Sequence, residues 1–175
     1  PGFWVLTFAL AEKAKKVIAF EIEKKLTPYW DSLVCHSEQG EESLSQSPNG
    51  QRSFANTQDD KRGCRYDNIE IIWGNVLSEV QSLKSKVQSL GTYKVIANLP
   101  YQITSNVIRK FLEDEDRPEL MVLMVQKEVA ERICASAGDM SVLAVSVQLY
   151  AKPEIIMNVP RSSFWPVPGV DSAVI

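Results

Sequence analysis

The chain has 175 residues, a length that buries one core rather than two. Apolar residues make up 45% and charged residues 23%, with 8 Gly and 9 Pro, which excludes collagen-like and wholly disordered chains. No apolar run reaches the roughly 18 residues of a membrane helix, and a net charge of −3 leaves any nucleic-acid binding to a local patch. Three Cys at wide spacing argue for a reducing compartment and against a disulfide framework.

Both ends read as interior sequence. Pro1-Gly2 resembles the tail of a glycine loop that opens a helix, with no signal peptide, and residues 170–175 read as a strand entered and not left. Residues 6–16 read as a helix with Leu6, Leu10 and Ala14 on its apolar side and a basic end at Lys13, Lys15 and Lys16. Residues 17–22 are a short β-forming run that ends in carboxylates, Glu21 and Glu23. Residues 24–34 read as a further helix with Pro28 near its start.

Residues 37–68 break the pattern. They are rich in Ser, Gln, Asn, Asp and Gly, and such a stretch reads as a disordered surface insertion within the domain. Strand follows at 69–73, then Gly74-Asn75, then a helix over 78–90. Strand 93–97 runs into Asn98-Leu99-Pro100-Tyr101. Thr104 or Ser105 is expected to cap the next helix, whose apolar face is Val107, Ile108, Phe111 and Leu112. Strand 120–125 and helix 127–135 come next. Residues 140–150 are apolar without clean periodicity, and residues 154–159 and 172–175 look like a closing strand pair.

Alternation of this kind implies an α/β fold, a mostly parallel sheet with helices on both faces. Ligands in such sheets bind beyond the carboxyl ends of the strands, where Glu21, Asn75 and Asn98 each fall. Pro100 biases Leu99 toward an extended conformation, which can turn the Leu99 carbonyl and the Asn98 side chain toward one point. Two acceptors at one point suit an exocyclic amino group, and Tyr101 offers a flat face to a base. The alternative is a plain strand-to-helix turn.

Several segments resemble the ribosomal RNA small-subunit adenine dimethyltransferase family, the KsgA/RsmA-like enzymes. They are Pro1-Gly2 with Val5-Leu6-Thr7, Val17 to Glu23, Gly74 to Leu77, Asn98 to Tyr101, Gln126 to Ile133, Ser141-Val142-Leu143 and the stretch from Val159 to Val174. The resemblance implies a Rossmann-like methyltransferase fold spanning residues 1–175 in part, interrupted by the insertion at 37–68. It implies S-adenosylmethionine as cofactor and N6 methylation of adenine in small-subunit (16S) ribosomal RNA, giving N6,N6-dimethyladenosine during ribosome maturation. Gly2 matches the second glycine of the family's Glu-x-Gly-Pro-Gly loop, and Glu21 the acid that accepts from the cofactor ribose. Asn75 falls where the family usually has Asp against the cofactor adenine, and Asn98 closes the cofactor set. Asn98, Leu99 and Tyr101 would hold the target base, with Phe164 as a second stacking face. The base must be unstacked to enter such a site.

Trp4 stands where the family has a small residue, and the family's C-terminal helical domain does not follow Ile175. The competing functions are a catalytically impaired RNA- or ribosome-binding factor on the same fold, a large-subunit ribosomal RNA methyltransferase, and a DNA adenine methyltransferase. Lys127, Arg132, Arg109, Lys110 and Arg161 are candidate phosphate contacts, with a solvated helix face as the plain alternative for the first two. Cys35, His36 and Cys64 match no zinc spacing, so no metal is expected. The expected protein is cytoplasmic, free of membranes and monomeric, with ribosomal RNA and the small ribosomal subunit as its partners.

Overall fold

The computed structural model describes residues 3–31, 34, 66–79 and 91–175. Two compact units divide the chain, Pro1–Asn75 and Val76–Ile175.

In the first unit, helix α1 (Phe3–Ala11) leads to strand β1 (Val17–Glu21). A 3₁₀ turn (Lys24–Leu26), helix α2 (Thr27–Asp31) and strand β2 (Ile69–Trp73) follow. β1 and β2 pair in parallel, from Val17 against Ile69 to Glu21 against Trp73. Helix α1 starts and stops earlier than its pattern suggests. Its last carbonyl and one in the turn beyond it are taken by a side chain from far along the sequence: Asn68 Nδ2 donates to Ala11 O (2.7 Å) and to Ala14 O (3.0 Å). That contact satisfies acceptors every helix end leaves open, and no sequence-local signal announces it. The basic run therefore lies in the turn before β1, where Lys16 Nζ meets Glu70 Oε2 at 2.6 Å.

Of the helix expected over 24–34, the described residues form a 3₁₀ turn, Lys24–Leu26, followed directly by a short α-helix, Thr27–Asp31. Pro28 sits in the first turn of α2, where its missing N–H costs nothing. Val34 N donates to Trp30 O at 2.9 Å, and Val34 bridges Tyr66 in parallel. The core of this unit gathers Ala11, Trp30, Val34 and Ile69, with Phe8, Tyr66 and Trp73 packed around them. Phe8 stacks on Tyr66 at 4.7 Å between ring centroids and meets Trp30 at 5.8 Å. The insertion expected over 37–68 thus overruns at its end, because Tyr66 and Asn68 are structural. Its residues up to 65 lie outside the described residues, as do Cys35, His36 and Cys64.

In the second unit, residues 76–79 are helical, and the rest of the helix expected over 78–90 lies outside the described residues. Strand β3 (Lys94–Asn98), helix α3 (Thr104–Leu112), strand β4 (Leu120–Gln126), helices α4 (Lys127–Ile133) and α5 (Val142–Gln148), and strands β5 (Met157–Val159) and β6 (Ser172–Val174) follow. The sheet order is β3-β4-β6-β5. β3 and β4 are parallel, and β6 runs antiparallel to both β4 and β5. The closing pair is therefore present, and its second strand also joins the parallel strands.

The expected apolar face of α3 is the buried one: Val107, Ile108, Phe111 and Leu112. The expected cap is not there. Tyr101–Ile103 already forms a 3₁₀ turn, Ile103 precedes the helix without a side-chain cap, and Thr104 is inside it. Helix α5 explains why residues 140–150 lack periodicity. Ala144 and Val147 are buried while Val142, Val145 and Leu149 face solvent, so apolar residues occupy both sides. Ser141 Oγ caps it by accepting from Ala144 N.

Tyr93 pins the start of β3 by donating its hydroxyl to Asp116 O at 2.7 Å. Burial, with the Asp114 and Asp116 carboxylates adding to it, pushes its pKa up to about 12 from 10.0. A folded-state pKa above the unfolded one gives stability that is intact below pH 10.0 and lost as pH rises toward about 12. Tyr93→Phe is therefore expected to flatten the alkaline fall in stability over that window, read as urea midpoints against pH. At neutral pH it costs about 0.5–1.5 kcal/mol for the lost hydrogen bond.

Candidate active site

Each unit carries its own cluster of the expected residues at the carboxyl ends of its strands. In the first, β1 ends at Glu21 and β2 leads into Gly74-Asn75. The Gly74 N–H donates to Glu21 O at 2.9 Å, which ties the two strand ends together. Gly74 adopts φ 151°, a conformation that L side chains rarely take, so glycine is required at this turn. The half-buried Glu21 carboxylate is partly oriented from within its own loop: Oε1 accepts from Glu23 N at 2.8 Å. Among the described residues Oε2 takes no hydrogen bond, so one oxygen is held and the other is open to a ligand diol. Asn75 is exposed one residue past Gly74. Gly2 lies outside the described residues, and of Trp4 only the backbone, in α1, is described.

In the second unit, β3 delivers Asn98 at its last residue, opposite Met124 of β4. Asn98 is half-buried, and its amide makes no hydrogen bond among the described residues. Leu99 is buried, which anchors the turn, and among the described residues no backbone N–H donates to its carbonyl. Pro100 follows at φ −56°, ψ 133°, and Tyr101 opens the 3₁₀ turn.

The Tyr101 ring is fixed from behind. Its hydroxyl lies 2.9 Å from Ser172 Oγ, and Ser172 is 0% exposed at the start of β6. The neighbouring Asp171 then ties down the loop that bears Phe164. Its Oδ1 accepts from Arg161 N at 2.9 Å, and its carbonyl accepts from Lys127 N at 3.0 Å. Arg161–Ser163 form a 3₁₀ turn, and half-buried Phe164 follows with extended backbone. A continuous path of contacts, Tyr101–Ser172–Asp171–Arg161, thus links the two aromatic candidates. Ser172 and Asp171 lie in the late stretch that carries the resemblance but were given no role from the sequence, since nothing local shows that they reach Tyr101 and Arg161.

Lys127, Glu128, Glu131, Arg161, Gly169, Val170 and Asp171 line a surface cleft of about 430 Å³ beside this loop. Lys127 Nζ lies 3.9 Å from Glu131 Oε1, the solvated helix pair that its spacing suggests. Tyr101→Phe keeps the ring but leaves the buried Ser172 hydroxyl without its partner. It is expected to cost about 1–3 kcal/mol in urea unfolding.

The model of the ribosomal RNA adenine dimethylase family matches residues 50–175. The chain belongs to this family. Ribosomal RNA small subunit methyltransferase A of Dehalococcoides mccartyi is 39% identical over the whole chain, which covers 50% of that relative. The same-named protein of a Geobacillus species is 37% identical, again over the whole chain and 52% of the relative. The chain therefore spans about half the length of the curated relatives it matches. Among solved structures, a dimethyladenosine transferase from Plasmodium falciparum superposes with a TM-score of 0.66 at 29% identity, covering 99% of the chain and 51% of that protein. The 23S rRNA methyltransferase ErmE, at 23% identity, has a TM-score of 0.65 over 99% of the chain and 56% of its own length, and shares the fold. The α/β methyltransferase fold expected from the sequence is thus the family's fold. Asn98 to Tyr101 and the loop from Val159 to Val174 both fall in the matched region.

Proposed function

We propose that the chain carries the methyl-transfer chemistry of a ribosomal RNA adenine N6-dimethyltransferase, acting on small-subunit RNA with S-adenosylmethionine as methyl donor. The observation that carries this reading is the turn after β3. It presents two unengaged acceptors, the Asn98 amide oxygen and the Leu99 carbonyl, beside a tyrosine ring locked by Ser172. An adenine amino group has two N–H donors to match them. Its nitrogen lone pair is delocalised into the ring and is a poor nucleophile. Acceptors that hold both N–H groups favour a more tetrahedral nitrogen and so localise that pair for attack. Tyr101 and Phe164 would hold the unstacked base by their faces, which fixes the amino group in place.

The cofactor residues fit the same reading. Glu21 keeps one carboxylate oxygen for the ribose hydroxyls, and Asn75 retains an acceptor where the family usually has Asp. Bound there, the cofactor supplies an electrophilic methyl group. No metal, no second copy and no titratable side chain of unusual pKa is required, and a ribosomal RNA substrate makes the cytoplasm the place of reaction. The small subunit is favoured over the large one because the curated relatives at 37–39% identity are named for the small subunit.

Calorimetric titration of S-adenosylmethionine into the chain tests the cofactor half of this proposal. Glu21→Ala, which removes the diol acceptor, is expected to weaken binding about tenfold or more while leaving the melting temperature unchanged. Equal affinity in wild type and Glu21→Ala contradicts the assignment of Glu21.

A further inference from the structure

The loop between Pro160 and Asp171 carries an aromatic side chain that the chemistry above does not use. Trp165 is 90% exposed, although indole is a large and mainly apolar surface. Its neighbour Phe164 has extended backbone, φ −117° and ψ 150°, and is half-buried. Trp165 follows in a bend ahead of Pro166, and its indole stands in solvent while the Phe164 side chain is partly covered.

The loop is not loosely hung. Asp171 holds its beginning through the Arg161 N–H and its end to the first residue of α4. The Asp171 carboxylate is directed to that backbone group, and the Arg161 guanidinium makes no ion pair among the described residues. One short, pinned loop thus presents a bare indole and an unpaired guanidinium. That pairing of a stacking face with a phosphate contact is what a single strand of nucleic acid requires. An apolar protein partner would have no use for the cation.

We propose that Trp165 is a stacking platform for a nucleotide flanking the target adenine in single-stranded RNA, with Arg161 on the adjoining phosphate. The proposal rests on the adenine methyltransferase reading and adds a positioning residue that acts on substrate binding rather than on the methyl transfer itself.

The test uses the full chain and fluorescein-labelled single-stranded RNAs with one central adenine, intact or with an abasic site on one side or the other. Trp165→Ala is expected to weaken binding of the intact RNA about tenfold, and Trp165→Phe to keep most of the affinity. One of the two abasic RNAs is expected to weaken the wild type by a similar factor and Trp165→Ala no further. In methyl transfer at saturating cofactor, the substitution raises KM and leaves kcat in place. The inference is overturned if Trp165→Ala binds the intact RNA like the wild type, or if the losses from substitution and abasic site add in full. It is also overturned if Trp165→Ala converts a dimer to a monomer in sedimentation, which assigns the indole to a second copy. The same samples separate the two levels. A wild type that methylates adenine beside an indifferent Trp165→Ala removes only Trp165, whereas a folded wild type that neither binds RNA nor transfers methyl removes the underlying function as well.

Discussion

Asn98→Ala is expected to lower kcat for adenine methylation by about a hundred- to a thousandfold, the usual loss when one preorganised hydrogen-bonding group is removed from a reacting centre. The same change is expected to leave stability almost untouched. The Asn98 side chain is half-buried and makes no hydrogen bond among the described residues, so alanine strands no partner. Its backbone stays in the β3–β4 pairing opposite Met124 whatever the side chain. A thermal melt and a single-turnover methyl-transfer rate on the same preparation separate the two effects. Asn98→Asp sharpens the result, since it keeps an acceptor of the same length but introduces a charge beside an uncharged amine.

The largest stability effect is expected in the other unit. Trp30 is 1% exposed and sits in the core formed with Ala11, Val34 and Ile69. Phe8 lies against it at 5.8 Å between ring centroids. Trp30→Ala removes most of a large side chain from a site walled by helix and strand, where collapse is limited. The expected cost is about 3–5 kcal/mol, a large share of the roughly 5–15 kcal/mol that holds a domain of this size. Chemical unfolding followed by circular dichroism reads it. Trp30→Phe, which keeps an aromatic ring in the same core, is expected to lose distinctly less.

What the sequence disclosed follows from the range of the forces involved. Strand β2 falls on the expected residues, and β3 and β4 lie within a residue of them, because short apolar runs bounded by turn residues are local signals. The buried face of α3 was legible for the same reason: Val107, Ile108, Phe111 and Leu112 recur at helical spacing. Errors arise where a distant residue decides. Asn68 ends α1 from 57 positions away, and Tyr66 returns to pack on Phe8 inside a stretch whose composition reads as disordered. Helix α5 is ambiguous in sequence because Val142, Val145 and Leu149 are apolar yet exposed. The candidate site divides the same way. Asn98, Leu99 and Tyr101 stand out because Pro100 shapes the backbone locally. Ser172 and Asp171 fall within the late stretch that carries the resemblance, but they are separated from Tyr101 by some seventy residues, and their hold on Tyr101 and the Phe164 loop becomes visible only when β6 is placed beside β4.

Methylation of adenine N6 in small-subunit ribosomal RNA is what we propose for this chain. The most direct measurement incubates it with isotopically labelled S-adenosylmethionine and small ribosomal subunits that lack adenine dimethylation, then digests the RNA and resolves the nucleosides by mass spectrometry. The account predicts label in N6,N6-dimethyladenosine with wild type and its near-absence with Asn98→Ala. Label at any other position, or none from a folded chain that binds the cofactor, contradicts it.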